Sequence, residues 1–180
     1  MIMGVNSSKK AIEKSIAVYE KMLEDLPEDV FIKTPAEGVW SYAEVYSHIF
    51  SSNIGCCKAI SVCAAGTGIE DNKPLKFPLR LVMYFKRLPP GKYKVPERIA
   101  KDVIKLSKED ASGLISKFRN TLAEITPLIE KASPTQKIKH PRFGLINAKQ
   151  WYSFIHIHTL HHQRQLFRIQ ALHKQTSLNT

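Results

Sequence analysis

The stretch WYSFIHIHTLHHQRQLFRIQAL, residues 151–172, carries an apolar face and four of the chain's seven histidines on one segment. At 100° per residue, with His158 at zero, Trp151 and Ile169 fall at about +20°, His162 at about +40°, Gln165 at about −20° and Leu172 at about −40°. This is the stripe of a helix that buries one side, and His158 and His162 lie inside it. His161 falls at about −60°, on the edge, and His156 at about 160°, facing outward. Asn147 and Gln150 have the spacing of an N-terminal cap, and the pattern runs to roughly His173.

A helix with such a stripe needs partners. Ile12, Ile16, Tyr19 and Leu23 recur at helical steps between Ser8 and Leu26, and Pro27 stops that helix. Ser41 with Glu44 forms a capping box for a second helix, which carries Val45, His48, Ser52, Cys56 and Ala59 on one face and ends before Gly66. Ser107 with Asp110 opens a third, with Leu114, Phe118, Leu122, Ile125 and Ile129 at helical spacing and Pro127 kinking its last turn. Residues 66–106 are rich in proline and basic residues around one short apolar piece, Leu79 to Phe85. They read as a long crossover or insertion, with room for a short helix. No stretch alternates with period two, and no internal repeat appears. The expected fold is all-α: a four-helix bundle with a long crossover between helices two and three.

The 180 residues fit one domain, 1–180, with 43% hydrophobic and 24% charged residues, which excludes a disordered or fibrous chain. No apolar run reaches the length of a membrane span and the N-terminus has no apolar signal region, so a cytoplasmic location is expected. Cys56, Cys57 and Cys63 are an odd set without a CxxC and are expected to be reduced thiols. The net charge of +11 leaves acidic substrates, nucleic acid and anionic membrane surfaces open as partners.

The chemistry lies in the histidines. Residues four apart on a helix have Cβ atoms about 5–6 Å apart, so His158 and His162 can converge on one ion. Seven histidines in 180 residues make such a pair weak evidence alone. His48, on the inward face of helix two, is the third residue that decides. Three buried imidazoles need partners, which a divalent cation supplies together and an internally hydrogen-bonded or pocket-lining group supplies otherwise. Glu44, one turn before His48, is able to orient its imidazole, but the capping role explains it without any metal. Gln165, in the stripe one turn after His162, is expected to hold a ligand's other ring nitrogen or to line the pocket. Cys56 is expected to pack in the core, and Trp40 and Trp151 at the bundle's end. The basic 73–101 segment, with Phe77, Tyr84, Phe85 and Tyr93 among its charges, reads as a solvated crossover rather than a nucleic-acid binder.

The run His158-Thr159-Leu160-His161-His162-Gln163-Arg164-Gln165, preceded by Trp151 and the turn from His140 to Gly144, resembles the last-helix signature of the DinB-like superfamily. Trp40-Ser41-Tyr42-Ala43-Glu44-Val45-Tyr46-Ser47-His48 is similar to that family's second-helix motif. The resemblance spans about residues 8–65 and 107–172. It implies a bundle in which His48, His158 and His162 hold a divalent metal, for which Zn, Ni, Fe, Mn and Co all suit a three-histidine set. It also implies a thiol-dependent S-transferase or isomerase in which the metal activates a low-molecular-weight thiol against a small-molecule substrate. Hydrolysis aided by Glu44 is the second enzyme reading, and a non-catalytic metal-binding or nucleic-acid-associated protein the third. Neither specific nucleic acid nor membrane is expected as a partner, and a homodimer stays open.

Overall fold

Ser41 starts the helix around which the others assemble. Its hydroxyl accepts the backbone N–H of Glu44 at 3.3 Å, while the Glu44 carboxylate accepts the backbone N–H (2.8 Å) and hydroxyl (2.7 Å) of Ser41. This is the reciprocal box that the spacing predicts. The computed structural model describes residues 4–89 and 102–178. Within them the chain forms α1 (Val5–Asp25), α2 (Glu28–Ile32), α3 (Tyr42–Ala64), β1 (Ile69–Glu70), α4 (Phe77–Phe85), α5 (Lys108–Ile125), a 3-10 turn (Thr126–Leu128), β2 (Gln136–His140), β3 (Gly144–Asn147) and α6 (Ala148–Leu178).

The four long helices α1, α3, α5 and α6 make a four-helix bundle. The helix α3 packs against both α6 and α5, and α1 closes the bundle against the same two. The core follows the periodicities of the sequence: Ile12, Ile16 and Tyr19 of α1, Tyr46, Ile49 and Phe50 of α3, Ile115, Phe118 and Leu122 of α5, and Tyr152, Ile155, Leu166 and Ile169 of α6. Tyr19 stands edge-on to Tyr46 (5.3 Å) and Phe50 (5.2 Å), a favoured aromatic geometry. Buried hydroxyls find backbone partners: Tyr46 donates to the Tyr19 carbonyl (2.7 Å) and Tyr19 to the Thr159 carbonyl (2.9 Å), tying α3, α1 and α6 together. Asn147 and Gln150 cap α6 reciprocally, each side chain meeting the other's backbone N–H at 2.9 and 3.1 Å. Among the described residues no helix is long and apolar enough to cross a membrane.

The structure departs from the sequence reading at the connections. The loop after Pro27 contains α2, whose Phe31 packs edge-on to Tyr46 at 5.2 Å and covers that end of the core. The last helix runs past His173 to Leu178. Pro127 does not kink α5; the helix ends at Ile125 and the chain tightens into the 3-10 turn. The absence of strands is also corrected. Three short strands form an antiparallel sheet in the order β1-β2-β3, pairing Ile69 with Lys137 and Ile138 with Ile146. Their alternation is illegible because the buried positions of β2 are Lys137 and His140, not apolar residues. Lys137 is buried yet satisfied, its ammonium donating to the Lys73 carbonyl (2.6 Å) and facing Asp71 at 3.4 Å. Gly68 is required beside this pairing, since a Cβ there would meet the Lys137 carbonyl oxygen at 2.9 Å. The crossover therefore leaves α3 pinned to the hairpin before forming α4 as a short helix. Its residues 90–101 lie outside the described residues.

Replacing Ser41 by alanine removes the cap that starts α3. The expected loss is about 1 kcal/mol, or roughly 2–4 °C in Tm, read by thermal unfolding with an unchanged helical spectrum.

Candidate metal centre

The helices α3 and α6 bring three histidines to one wall of a cleft. His48 comes from α3; His158 and His162, one turn apart, come from α6. All three are buried, and one ring nitrogen from each lies within 4.8 Å of the others. Their rings pack edge to face, with centroids 4.6 Å apart for His158 and His162, 4.8 Å for His48 and His162, and 5.3 Å for His48 and His158.

The opposite ring nitrogens are each held by a neighbour. His158 Nδ1 meets Asn53 Oδ1 at 3.3 Å, and His162 Nδ1 meets Gln165 Oε1 at 2.7 Å. The Asn53 amide is itself fixed, because its nitrogen donates to the Thr159 hydroxyl (2.9 Å), which donates to the Ile155 carbonyl (2.7 Å). An amide oxygen accepts only from an Nδ1–H, so both histidines present Nε2 as a bare acceptor. Those two Nε2 atoms stand 3.1 Å apart. Two facing acceptors repel unless a cation lies between them, and two ligands of one ion at about 2.0–2.1 Å, roughly 90–109° apart, lie roughly 2.8–3.4 Å from each other. The donor set therefore fits a divalent metal. His48 is held more loosely, its Nδ1 lying 3.5 Å from the Ser52 hydroxyl.

Burial lowers the pKa of all three imidazoles. For His48 it brings the value to about 4, with the nearby His161 adding to the effect; His158 and His162 are pushed well below their ordinary value by burial and by one another's neighbours in the cluster. They are thus neutral at pH 7, the form that ligates a metal. The Phe154 ring stacks on His158 at 5.1 Å, and Trp40 lies 5.3 Å from His48. The cleft beyond has a volume of about 1530 Å³ and is open to solvent, with Arg142, Arg168, Leu88, Phe143 and Ile169 among its walls.

His48, His158 and His162 come together, and Gln165 Oε1 meets His162 Nδ1. Glu44 is engaged in the helix cap. His161 is half-buried on the cleft wall, its ring 5.0 Å from that of His162. His156 is not outward: it is buried, because α4 of the crossover and the start of α1 lie over that side of α6, with Met83, Lys86 and Ser8 beside it. Trp40 and Trp151 do more than pack the bundle's end, since both line the cleft, as does the buried Cys56. Burial pushes the Cys56 thiol up, so it stays protonated and is no nucleophile. The sequence pattern does not mark Asn53 or His140 as a site residue. Asn53 lies about 140° around α3 from His48 and so falls off the stripe, although a polar residue inside a buried helix signals a specific partner. His140 lines the cleft from the end of β2, and its Nδ1 accepts the backbone N–H groups of Arg142 (3.1 Å) and Phe143 (3.3 Å).

Residues 11–166 match the model of the DinB superfamily. Among solved structures the chain is similar to TT2238, a four-helix bundle protein, with TM-score 0.61 and 18% identity over 92% of this chain and 99% of that one. It is also similar to YfiT from Bacillus subtilis, described as a probable metal-dependent hydrolase with an unusual four-helix bundle topology, with TM-score 0.62 and 14% identity over 92% of this chain and 85% of that one. At these identities the likeness is one of fold. No curated protein sequence matches the chain.

A histidine whose pKa is depressed by folding takes up its proton more readily when unfolded. Its contribution to stability is fully present above about 6.5 and is lost as pH falls toward the folded value. His48 and His140 are both lowered to about 4, chiefly by burial. The metal-free protein should therefore lose stability between pH 6.5 and 4, by about 1.4 kcal/mol per pH unit for each proton taken up on unfolding, read from urea midpoints.

Proposed function

The chain belongs to the DinB superfamily, and from that membership and the geometry of the cleft we propose that it is a divalent-metal-dependent enzyme acting on a small molecule. The observation that carries this reading is the pair of Nε2 atoms 3.1 Å apart, with both Nδ1 atoms turned to amide oxygens. His48, His158 and His162 would hold the ion. A divalent ion bound by three neutral histidines keeps an open position and supplies Lewis acidity that lowers the pKa of a water or thiol there.

The leading chemistry is thiol transfer or isomerisation. A low-molecular-weight thiol gives up its proton to solvent at the cleft; its sulfur then forms a bond to an electrophilic carbon of the second substrate. In a transferase a leaving group departs with the electron pair, and in an isomerase the thiol is eliminated after rearrangement. Glu44, the carboxylate on the turn before His48, is engaged in the helix cap. Among the described residues the carboxylates lining the cleft are Glu37 and Asp102, and neither belongs to the histidine grouping. A thiol that ionises on binding asks for no carboxylate base, which suits this reading. Asn53 and Gln165 fix the ligand rings, and Phe154 and Trp40 shield them from bulk water. A cleft of about 1530 Å³ has room for a thiol and an electrophile together. Hydrolysis is the second reading, favoured by the description of YfiT.

Elemental analysis should find one divalent ion per chain, and chelation should lower Tm. His158→Ala should abolish binding, whereas Gln165→Leu should weaken it by about 10–100-fold. Metal retained in His158→Ala but lost in His161→Ala or His140→Ala would refute the assignment.

The two chemistries separate on one comparison. Metal-loaded protein and His48→Ala are assayed for conjugation of glutathione, cysteine and other small thiols to an electrophile, and for hydrolysis of activated esters and amides. Metal-dependent conjugation is expected; hydrolysis without thiol, and no conjugation with any thiol, would give the site to the hydrolase reading.

A further inference from the structure

The histidine cleft leaves the basic crossover unexplained. With Phe77 at zero on the α4 wheel, Leu81 lies at about 40°, Tyr84 at about −20° and Phe85 at about 80°, whereas Leu79, Val82 and Met83 lie between about 140° and 240°. The second set is buried in the core. The first is exposed: Phe77 by 68%, Leu81 by 41%, Tyr84 by 65% and Phe85 by 67%. Tyr84 and Phe85 pack on each other, edge to face at 5.1 Å. A helix apolar on both sides but covered on one is a mark of an interaction surface. The sequence through it has one sign of charge. Residues 73–87 carry Lys73, Lys76, Arg80, Lys86 and Arg87 with no carboxylate, and residues 73–101 hold nine basic residues against one acidic, a net +8 of the chain's +11.

We propose that this face of α4 docks on an anionic lipid surface. The helix lies in the interfacial plane with Phe77, Leu81, Tyr84 and Phe85 at the boundary of headgroups and acyl chains, and the exposed Arg80 and Arg87 meet lipid phosphates. The sequence alone reads the segment as a solvated crossover without a membrane partner; the four uncovered apolar side chains change that reading. A second copy of the chain fits the same face poorly, because a two-fold contact would set each basic cluster against its own image. Single-stranded nucleic acid uses aromatics spaced along a groove, whereas these side chains form one ridge on a helix, with an aliphatic residue between the rings. Attachment of this kind is peripheral and reversible, in keeping with described helices that do not span a bilayer. Leu88 and Pro89, directly after α4, line the histidine cleft, so docking brings one wall of the cleft close to the lipid.

The test is co-sedimentation of the full chain with phosphatidylcholine vesicles, with and without phosphatidylglycerol. Binding to the anionic vesicles only is expected, weakening as salt is raised. Arg80→Gln with Arg87→Gln should weaken it about 30-fold, and Tyr84→Ser with Phe85→Ser by at least about tenfold. All four positions are exposed, so unchanged circular dichroism and Tm show that the variants are folded. Failure to bind anionic vesicles, equal binding to neutral ones, or binding unaffected by the substitutions would overturn the proposal. A single-stranded oligonucleotide bound through these residues in place of vesicles would assign the face to nucleic acid. Dimers in light scattering that dissociate in Tyr84→Ser with Phe85→Ser would assign it to a second copy.

Discussion

Three neutral imidazoles packed ring against ring in the wall of a helical bundle are the constraint around which this structure is arranged. Burial favours the uncharged form of each ring, and an uncharged imidazole still carries one donor and one acceptor that need partners. Asn53 and Gln165 take the donors of His158 and His162. Their acceptors stand 3.1 Å apart, a donor set that fits a cation. Asn53 reaches His158 only because Thr159, itself bonded to the α6 backbone, holds the other end of its amide.

The same region is stiffened from behind. The Tyr19 hydroxyl ends on the Thr159 carbonyl and Tyr46 on the Tyr19 carbonyl, so a line of buried hydrogen bonds crosses α3, α1 and α6 beneath the histidines. Buried polar networks of this kind specify one register between helices, because sliding α6 by a turn would strand every partner at once. The apolar core gives most of the stability, as in any bundle, but would tolerate small shifts that these bonds do not.

The connections decide what surrounds the cluster. The hairpin of β2 and β3 sets His140 and Arg142 on the cleft, and β1, pinned by Lys137, starts the crossover from the hairpin's edge. The helix α4 then covers the side of α6 that bears His156, and its other face stays open with its aromatics and arginines outward. This short helix, with the start of α1, thus buries a histidine that helical periodicity alone turns toward solvent, and it creates a surface of its own.

The four long helices, the caps of the last three and the inward placing of His48, His158 and His162 were legible in the local pattern of the chain. Those features are local: a capping box spans four residues, and a buried stripe repeats every turn. The same pattern also indicated Gln165, which lies one turn from His162 on the same helix. Asn53 and His140 became site residues only in the tertiary structure, since Asn53 meets a histidine 105 positions away and lies off the stripe of its own helix. The strands were hidden because Lys137 and His140 occupy the buried positions of β2, where hydropathy gives no alternation. The burial of His156 is illegible for a related reason: helical periodicity describes one helix, and only the packing of α4 and α1 against α6 decides that a second side of that helix is covered.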